Sequence, residues 1–455
     1  MMEANRSKLV EELQKNDGDR RREALRGIAS LAAAGKLRFE ATLPITNMHL
    51  HTFFSFNALS YSPGRIVYEA KAKRLAAVGT VDFDVLDGVE ETLQGGDLLG
   101  MKAAAGIETR VFIGDYRGRV MNSPNEPGIY YLAGIGFTSG KPKGEAERGT
   151  LARLRETARR RTLEIAQRVN EFLGEVQVDF EGDVVRLTPA GNATERHLLR
   201  GYDEAARRRF GDRGERVKFW AKKLGEGEER LEGILDSPAA FHELVRSRLM
   251  KFGSVGYAPP KEENFPTFDE VVAMIRSAGA IPSATFLDGM SEGERDVGAL
   301  MEYVRAHGVE AVTLIPERNW RITDAREKER KLVKLAECVE VARNLRMPLL
   351  AGTEMNRGGQ PFVDDFAAAE LAPYAGDFLA GAHVVVGHTA LARARDCGYL
   401  SEWSRRTFGT DRGARNEFYR RVGEAASPGE EGLRRLAGTA DDDAEALIEA
   451  CRSKG

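Results

Sequence analysis

A chain of 455 residues, 42% apolar and 30% charged, describes a soluble globular protein with a large core and more than one structural unit. Its formal net charge of -3 supplies no general attraction to nucleic acid or to a membrane surface. Cys338, Cys397 and Cys451 show no C-x-x-C spacing, which argues against a disulfide framework or a thiolate zinc site and suits a reducing compartment. The segment from Met1 to Lys15 is charged throughout, unlike a signal peptide, and no run approaches the roughly 20 apolar residues of a membrane span. The expected location is the cytoplasm.

Residues 1–42 read as a helical extension, with Ser7 and Asp19 able to cap two helices and Gly35 ending the second. From there, short apolar runs alternate with helical patterns. The predicted strands are Ile45–His49, Ala77–Val81, Gly106–Ile113, Ala280–Phe286, Ala311–Ile315, Pro348–Gly352 and Ala382–Val386. Such alternation points to a parallel sheet with helical crossovers. With about seven units, a closed or distorted barrel is preferred to an open sheet. Residues 43–115 and 266–392 would form this discontinuous barrel, and 393–455 a helical C-terminal extension.

The alternation breaks over 116–265, read as a mostly helical insertion. It opens with turn chemistry at 122–128, a strand-like Ile129–Phe137 and a linker at 140–144, and holds a further short strand at Asp183–Leu187. The runs Arg159-Arg160-Arg161 and Arg207-Arg208-Arg209 alternate with glutamates and read as solvated helix faces. Asp441-Asp442-Asp443 reads as the start of a last helix and lacks partners for a metal site.

The residues with most chemistry sit where strands end. In Asn47-Met48-His49-Leu50-His51-Thr52, His49 and His51 share a face of a strand and can meet on one metal ion. Asp82, Glu108 and Glu354 follow later strands. In a parallel barrel, side chains at the carboxyl ends of strands converge on one mouth. Two imidazoles with three carboxylates make a mixed N/O site for manganese, zinc, iron or magnesium. Arg318 and Asn319 could face the same mouth, Arg318 as an anion contact. Arg196 and His197 could lean over it if the insertion folds as a lid. His388, following the last predicted strand, is the expected proton carrier.

These motifs together resemble the polymerase-and-histidinol-phosphatase (PHP) family, whose pattern is D-L-H-x-H-T, then T-D-H-D-x-x-x-G, then G-x-E. The likeness covers 44–113 well and 266–390 loosely. It implies a distorted (β/α)7 TIM-like barrel and a metal-dependent phosphoesterase with clustered ions. His49, His51, Asp82 and Glu108 match ligand positions. Phe83 replaces a histidine, Ala284-Thr285-Phe286 replaces A-H-P, and Glu354-Met355-Asn356 replaces D-x-H. Asn57 lies in a loop that often adds a ligand, and Asn356 stands where an imidazole would be.

The resulting expectation is a divalent-metal hydrolase holding one or two ions in His49, His51, Asp82, Glu108, Glu354 and Asn356. Asp82, His388 and Arg318 would serve the chemistry, with Arg318, Asn319 and Asn57 contacting a small phosphorylated substrate. The alternative is a barrel with a degenerate metal site that binds a small molecule or a protein. Nucleic-acid processing ranks last, and the oligomeric state is left open.

Overall fold

The computed structural model describes residues 2–260, 265–439 and 443–452. In chain order the elements are α1 (Met2–Glu12), α2 (Gly18–Ala33), β1 (Thr46–Leu50), α3 (Pro63–Ala72), β2 (Ala77–Phe83), α4 (Val89–Leu99), β3 (Ala103–Phe112) and β4 (Ile129–Ile135). The insertion helices are α5 (Glu145–Leu173), α6 (Glu195–Arg209), α7 (Arg213–Leu224), α8 (Glu228–Ile234) and α9 (Pro238–Leu249). Then come α10 (Phe268–Ser277), β5 (Ile281–Phe286), α11 (Val297–Ala306), β6 (Ala311–Leu314), α12 (Glu317–Trp320), α13 (Ala325–Asn344) and β7 (Leu349–Ala351). The chain ends in α14 (Ala375–Arg395), α15 (Glu402–Phe408), α16 (Arg412–Ala425), α17 (Glu430–Ala437) and α18 (Ala444–Cys451).

The seven strands pair in sequence order. All neighbours run parallel except β4, which is antiparallel to both β3 and β5. Leu50 bridges to Glu354 beyond the end of β7, so the sheet curls into a nearly closed α/β barrel. The backbone hydrogen bonds His51 N–Glu354 O (2.8 Å) and Glu354 N–His49 O (2.9 Å) make that seam. Strands buried on both faces explain why they read as continuous apolar runs.

Alternation along the strands layers the barrel interior. At the floor, Ala77, Ala104, Ile281, Ala311 and Leu350 join one apolar cluster with Ala382 and Val385 of α14, which seals that end. One step up, the Ser283 and Thr313 hydroxyls are paired at 2.7 Å. The polar mouth lies above them. On β1 the register slips between Asn47 and Leu50. This bulge lets Met48 join the floor cluster while His49 still turns toward Glu108, departing from strict alternation.

Three expectations are corrected here. Ala382–Val386 lies inside α14, because a helix buried all round presents the same apolar run as a buried strand. Ile129–Ile135, read as part of the insertion, is the fourth barrel strand. Asp183–Leu187 forms tight helical turns and no strand. Asp441 and Asp442 lie outside the described residues, whereas Asp443 caps α18 through the Glu445 and Ala446 amides. The five insertion helices share their own core around Trp220, Tyr202 and Phe241. Among the described residues no helix is long and apolar enough to cross a membrane.

His388 therefore stands inside α14 near the floor, away from the mouth. Its Nε2 donates to the Gly136 carbonyl at 2.9 Å, and its Nδ1 accepts from the Tyr399 amide at 2.9 Å. Burial pushes this imidazole down to about 4, against the opposing pull of the Gly136 carbonyl. Between about 6.5 and about 4 the unfolded chain then binds a proton that the folded chain does not, so stability falls as pH drops through that window. The shift corresponds to about 3 kcal/mol at its acid limit. His388→Ala is expected to lower stability by roughly 3 kcal/mol near neutral pH. It should also shrink the further loss seen by urea unfolding near pH 5; an unchanged pH dependence would contradict the assignment.

Candidate metal centre

The mouth is assembled from the ends of β1, β2, β3, β6 and β7. His49 and His51 are 1% and 0% exposed, and Glu108 is 3% exposed. Glu108 Oε2 lies 3.3 Å from His49 Nε2 and 3.1 Å from His51 Nε2. The two rings meet edge to face with centroids 5.4 Å apart. Two nitrogens and one carboxylate oxygen thus fall within 4.8 Å of one another, a group that could hold a metal ion.

The fit can be judged from the polar atoms themselves. His49 Nδ1 is buried without a hydrogen-bond partner, and His51 Nε2, equally buried, meets only the Glu108 carboxylate. A buried nitrogen without a partner is costly, and a cation satisfies it. The donor set suits a divalent ion of borderline hardness. Burial alone would push His51 down, but the Glu108 carboxylate, by hydrogen bond and charge, raises it above its ordinary value, with Asp82 and Glu354 adding to the effect. The two histidines likewise hold Glu108 well below the usual carboxylate range against its burial. A proton and a metal ion therefore compete for the same electrostatic well.

Asp82 is not brought into this group. Register pairs Phe83, not Asp82, with Glu108 across β2 and β3, so it is Phe83 that faces the interior. Asp82 points to the loop after β1, where it accepts from the Thr52 amide (2.9 Å), the Thr52 hydroxyl (2.7 Å) and the Ser55 hydroxyl (2.6 Å). Ser55 Oγ in turn lies 3.3 Å from His51 Nδ1. With its own proton given to Asp82, Ser55 can only accept from His51, which leaves the lone pair on Nε2. Asp82 thus sets the His51 tautomer through Ser55, as outer carboxylates do around metal-bound imidazoles.

The remaining expected residues divide. Glu354 is 7% exposed and its carboxylate receives Arg318 Nη2 at 3.0 and 3.2 Å. Burial opposes ionisation of Glu354, but Arg318 holds it below the usual range. Arg318 keeps 42% of its side chain exposed and can still meet a ligand. Asn356 is partly exposed on the loop beyond. Asn57 donates to the His51 carbonyl (2.8 Å) and accepts from the Leu59 and Tyr61 amides, so it shapes the ligand loop from behind. Asn319 is fully buried and donates to the Lys331 carbonyl at 3.1 Å, tying α12 to α13 instead of facing the mouth. His197 accepts from the Thr194 amide as a helix cap, and Arg196 pairs with Glu243.

Several mouth residues escaped the sequence reading. Arg110 follows Glu108 by two positions on β3, and Tyr131 is its register partner on β4. Thr285, in register with interior-facing Thr313, has a buried hydroxyl without a partner. Strand alternation is the signal for all three, once β4 is recognised as a strand. Phe83 stacks on His51 with centroids 4.3 Å apart.

The insertion closes over this arrangement. Asn192 donates to the Phe54 carbonyl (3.2 Å) and the Phe83 carbonyl (2.8 Å), bridging the β1 and β2 loops. Arg161 of α5 and Arg110 of β3 share Glu126, at 2.9 and 3.2 Å. Asn192→Ala is expected to cost about 1–2 kcal/mol. It should also speed amide hydrogen exchange at residues 52–56 and 188–193, while the insertion helices exchange as before. Unchanged exchange in both loops would show that Asn192 does not fasten the cover.

No family model matches the chain, and no curated protein does. Solved structures similar to it include an amidohydrolase from Chromobacterium violaceum with bound sulfate and no metal. The TM-score there is 0.46 at 14% identity, over 72% of this chain and 96% of that one. A protein from Bifidobacterium adolescentis described as a metal-dependent phosphoesterase gives a TM-score of 0.46 at 17% identity, over 74% and 97% of the two chains.

Proposed function

We propose that this chain is a divalent-metal-dependent hydrolase of the phosphoesterase type, a divergent relative of the PHP family working at the C-terminal mouth of its barrel. The observation that carries the reading is the buried His49–His51–Glu108 group, whose ligating atoms converge within 4.8 Å of one another. Manganese, zinc, iron or magnesium suits this donor set. Such an ion supplies Lewis acidity toward an ester oxygen and toward water.

The protein's own residues would do the rest. Glu108 balances the ion's charge and orients both imidazoles. Asp82 and Ser55 keep the His51 lone pair on Nε2. Arg318 and Arg110 provide guanidinium groups beside the cluster for the anionic part of a small phosphorylated substrate. Tyr131 adds a hydroxyl in register with Arg110. Asp82 and Glu354 are engaged elsewhere, by Thr52 and Ser55 and by Arg318, which favours one ion over two. We place the protein in the cytoplasm, acting on a free small molecule and neither on nucleic acid nor at a membrane.

The expected outcome is about one equivalent of metal per chain in protein purified without chelator, lost in His49→Ala. Glu108→Gln should lower manganese-dependent hydrolysis of a phosphomonoester by at least about 100-fold with unchanged circular dichroism. Hydrolysis that survives Glu108→Gln would move the chemistry elsewhere.

Phe83 favours a second reading, a barrel that binds metal or ligand without turnover. Its ring lies against His51 and cannot ligate anything. The two readings diverge on Phe83→His. If the site is degenerate, wild type binds metal but hydrolyses no phosphoester, and Phe83→His tightens metal binding about tenfold or more. If it is competent, wild type already turns over substrate.

A further inference from the structure

A second polar cluster lies at the floor of the barrel. Glu310 immediately precedes β6, at the N-terminal end of the parallel strands. Its Oε2 lies 3.0 Å from Arg412 Nη2 and 3.1 Å from Arg415 Nη2, and its Oε1 lies 3.4 Å from Arg276 Nη1. Arg276 ends α10, whereas Arg412 and Arg415 occupy the first turn of α16, capped by Asp411. Arg305 of α11 adds a fourth positive charge within electrostatic reach of Arg412. Three guanidinium groups thus share one carboxylate, with a fourth nearby, while the Asp411 carboxylate accepts from the Ala414 amide.

The surplus charge is not simply solvated. The side chains of Glu310, Arg415 and Arg412 are only 7%, 9% and 19% exposed. Arg415 Nε and Arg412 Nη1 are buried without an acceptor. Arg415 cannot turn to find one, because its guanidinium stacks over the Tyr399 ring at 4.3 Å while Nη2 holds Glu310. Burial first, and then Arg305 and Arg415, keep the Arg412 guanidinium below its ordinary value despite Glu310. Buried donors that lack acceptors, and buried cations that lack counter-charge, are both resolved by one anion. The start of a 14-residue helix adds its own positive field.

We propose that this floor cluster is a binding site for a tetrahedral oxyanion, either inorganic phosphate or the phosphate of a small organic molecule. Arg412 and Arg415 hold it, with Arg276 and Arg305 at the rim. Planar guanidinium groups match such an ion with paired N–H donors. An ion there links α16 to α10 and to the start of β6, so it fastens the C-terminal helices to the barrel. The site is independent of the metal centre, and nothing about it requires that centre to be active.

Calorimetric titration of the full chain with sodium phosphate, sulfate and chloride at constant ionic strength tests this. Phosphate and sulfate should bind saturably and chloride should not. Arg412→Gln should weaken phosphate binding about tenfold, whereas Arg213→Gln, at an exposed position on α7 paired with Asp236, should leave it unchanged. Glu310→Gln removes the competing carboxylate and should tighten binding severalfold. Should either of these floor variants fail to fold, Arg305→Gln, on the exposed face of α11, should still weaken binding. Glycerol phosphate distinguishes the sources: affinity equal to phosphate means that the ion alone suffices, and tighter binding means an organic phosphate. Absence of saturable phosphate binding overturns the proposal. So does saturable phosphate binding that Arg412→Gln leaves unchanged.

Discussion

The seam between β1 and the segment after β7 is the constraint on which the mouth depends. Two backbone hydrogen bonds join Glu354 to His49 and His51, so closing the barrel also sets the positions of three site side chains. The close approach requires Gly352, since any side chain there would collide with His49. Glu354 and Met355 take left-handed φ angles of 62° and 53°, which cost non-glycine residues roughly 1 kcal/mol or more each. The seam bonds and the Arg318–Glu354 pair hold them there. Strain of this kind persists where surrounding structure over-determines it, and in this protein it falls on the rim of the candidate site. Asp84, at the end of β2, has φ 63° and is a second instance on the same rim.

The layering of the interior follows from the same closure. Alanine, isoleucine and leucine fill the narrow floor, two hydroxyls pair in the middle, and the imidazoles and carboxylates stand above them. Polar atoms are admitted only where a partner, or an ion, can satisfy them. The floor is sealed by α14, and the mouth is covered by the insertion through Asn192 and the Arg161–Glu126–Arg110 bridge. His49, His51 and Glu108 are each at most 3% exposed, so the cluster lies beneath the surface of the mouth. Apolar contacts join these polar ones: Leu154 of α5 belongs to the main barrel core, and Ala190 packs against Phe53, Phe54 and Val85.

How much of this could be read from residues alone follows from what each signal encodes. Six of the seven strands were legible because parallel strands buried on both faces leave short, continuous apolar runs. Ala382–Val386 leaves the same run for a different reason: it is the middle of a helix buried between the barrel floor and α16. Periodicity cannot separate the two, and His388 was misplaced with it. Conversely, Ile129–Ile135 was recognised as strand-like yet assigned to the insertion, because an antiparallel strand following a turn-rich loop breaks the βα rhythm. That one misassignment hid Tyr131 and its pairing with Arg110. The convergence of His49, His51 and Glu108 was readable because it depends on short spacings along single strands. The placement of Asp82 was not, because it depends on which of two neighbouring residues faces inward, and that is fixed by the β2–β3 register.

Phe83 shapes the chemistry of the mouth. Its aromatic ring, in the interior beside His51, is an apolar wall without a ligating atom. An imidazole ligates as a neutral group, so the charge of the mouth rests on its carboxylates. Glu354 is one carboxylate outside the His49–His51–Glu108 group, and it carries an arginine. Asp82 is the other, and it is saturated by three hydroxyl and amide donors. Asp82 and Glu354 thus each have partners of their own, while His49 Nδ1 has none and His51 Nε2 meets only Glu108. The two histidines that share Glu108 have no such set of partners, and with it they form the group of ligating atoms that could hold a metal ion.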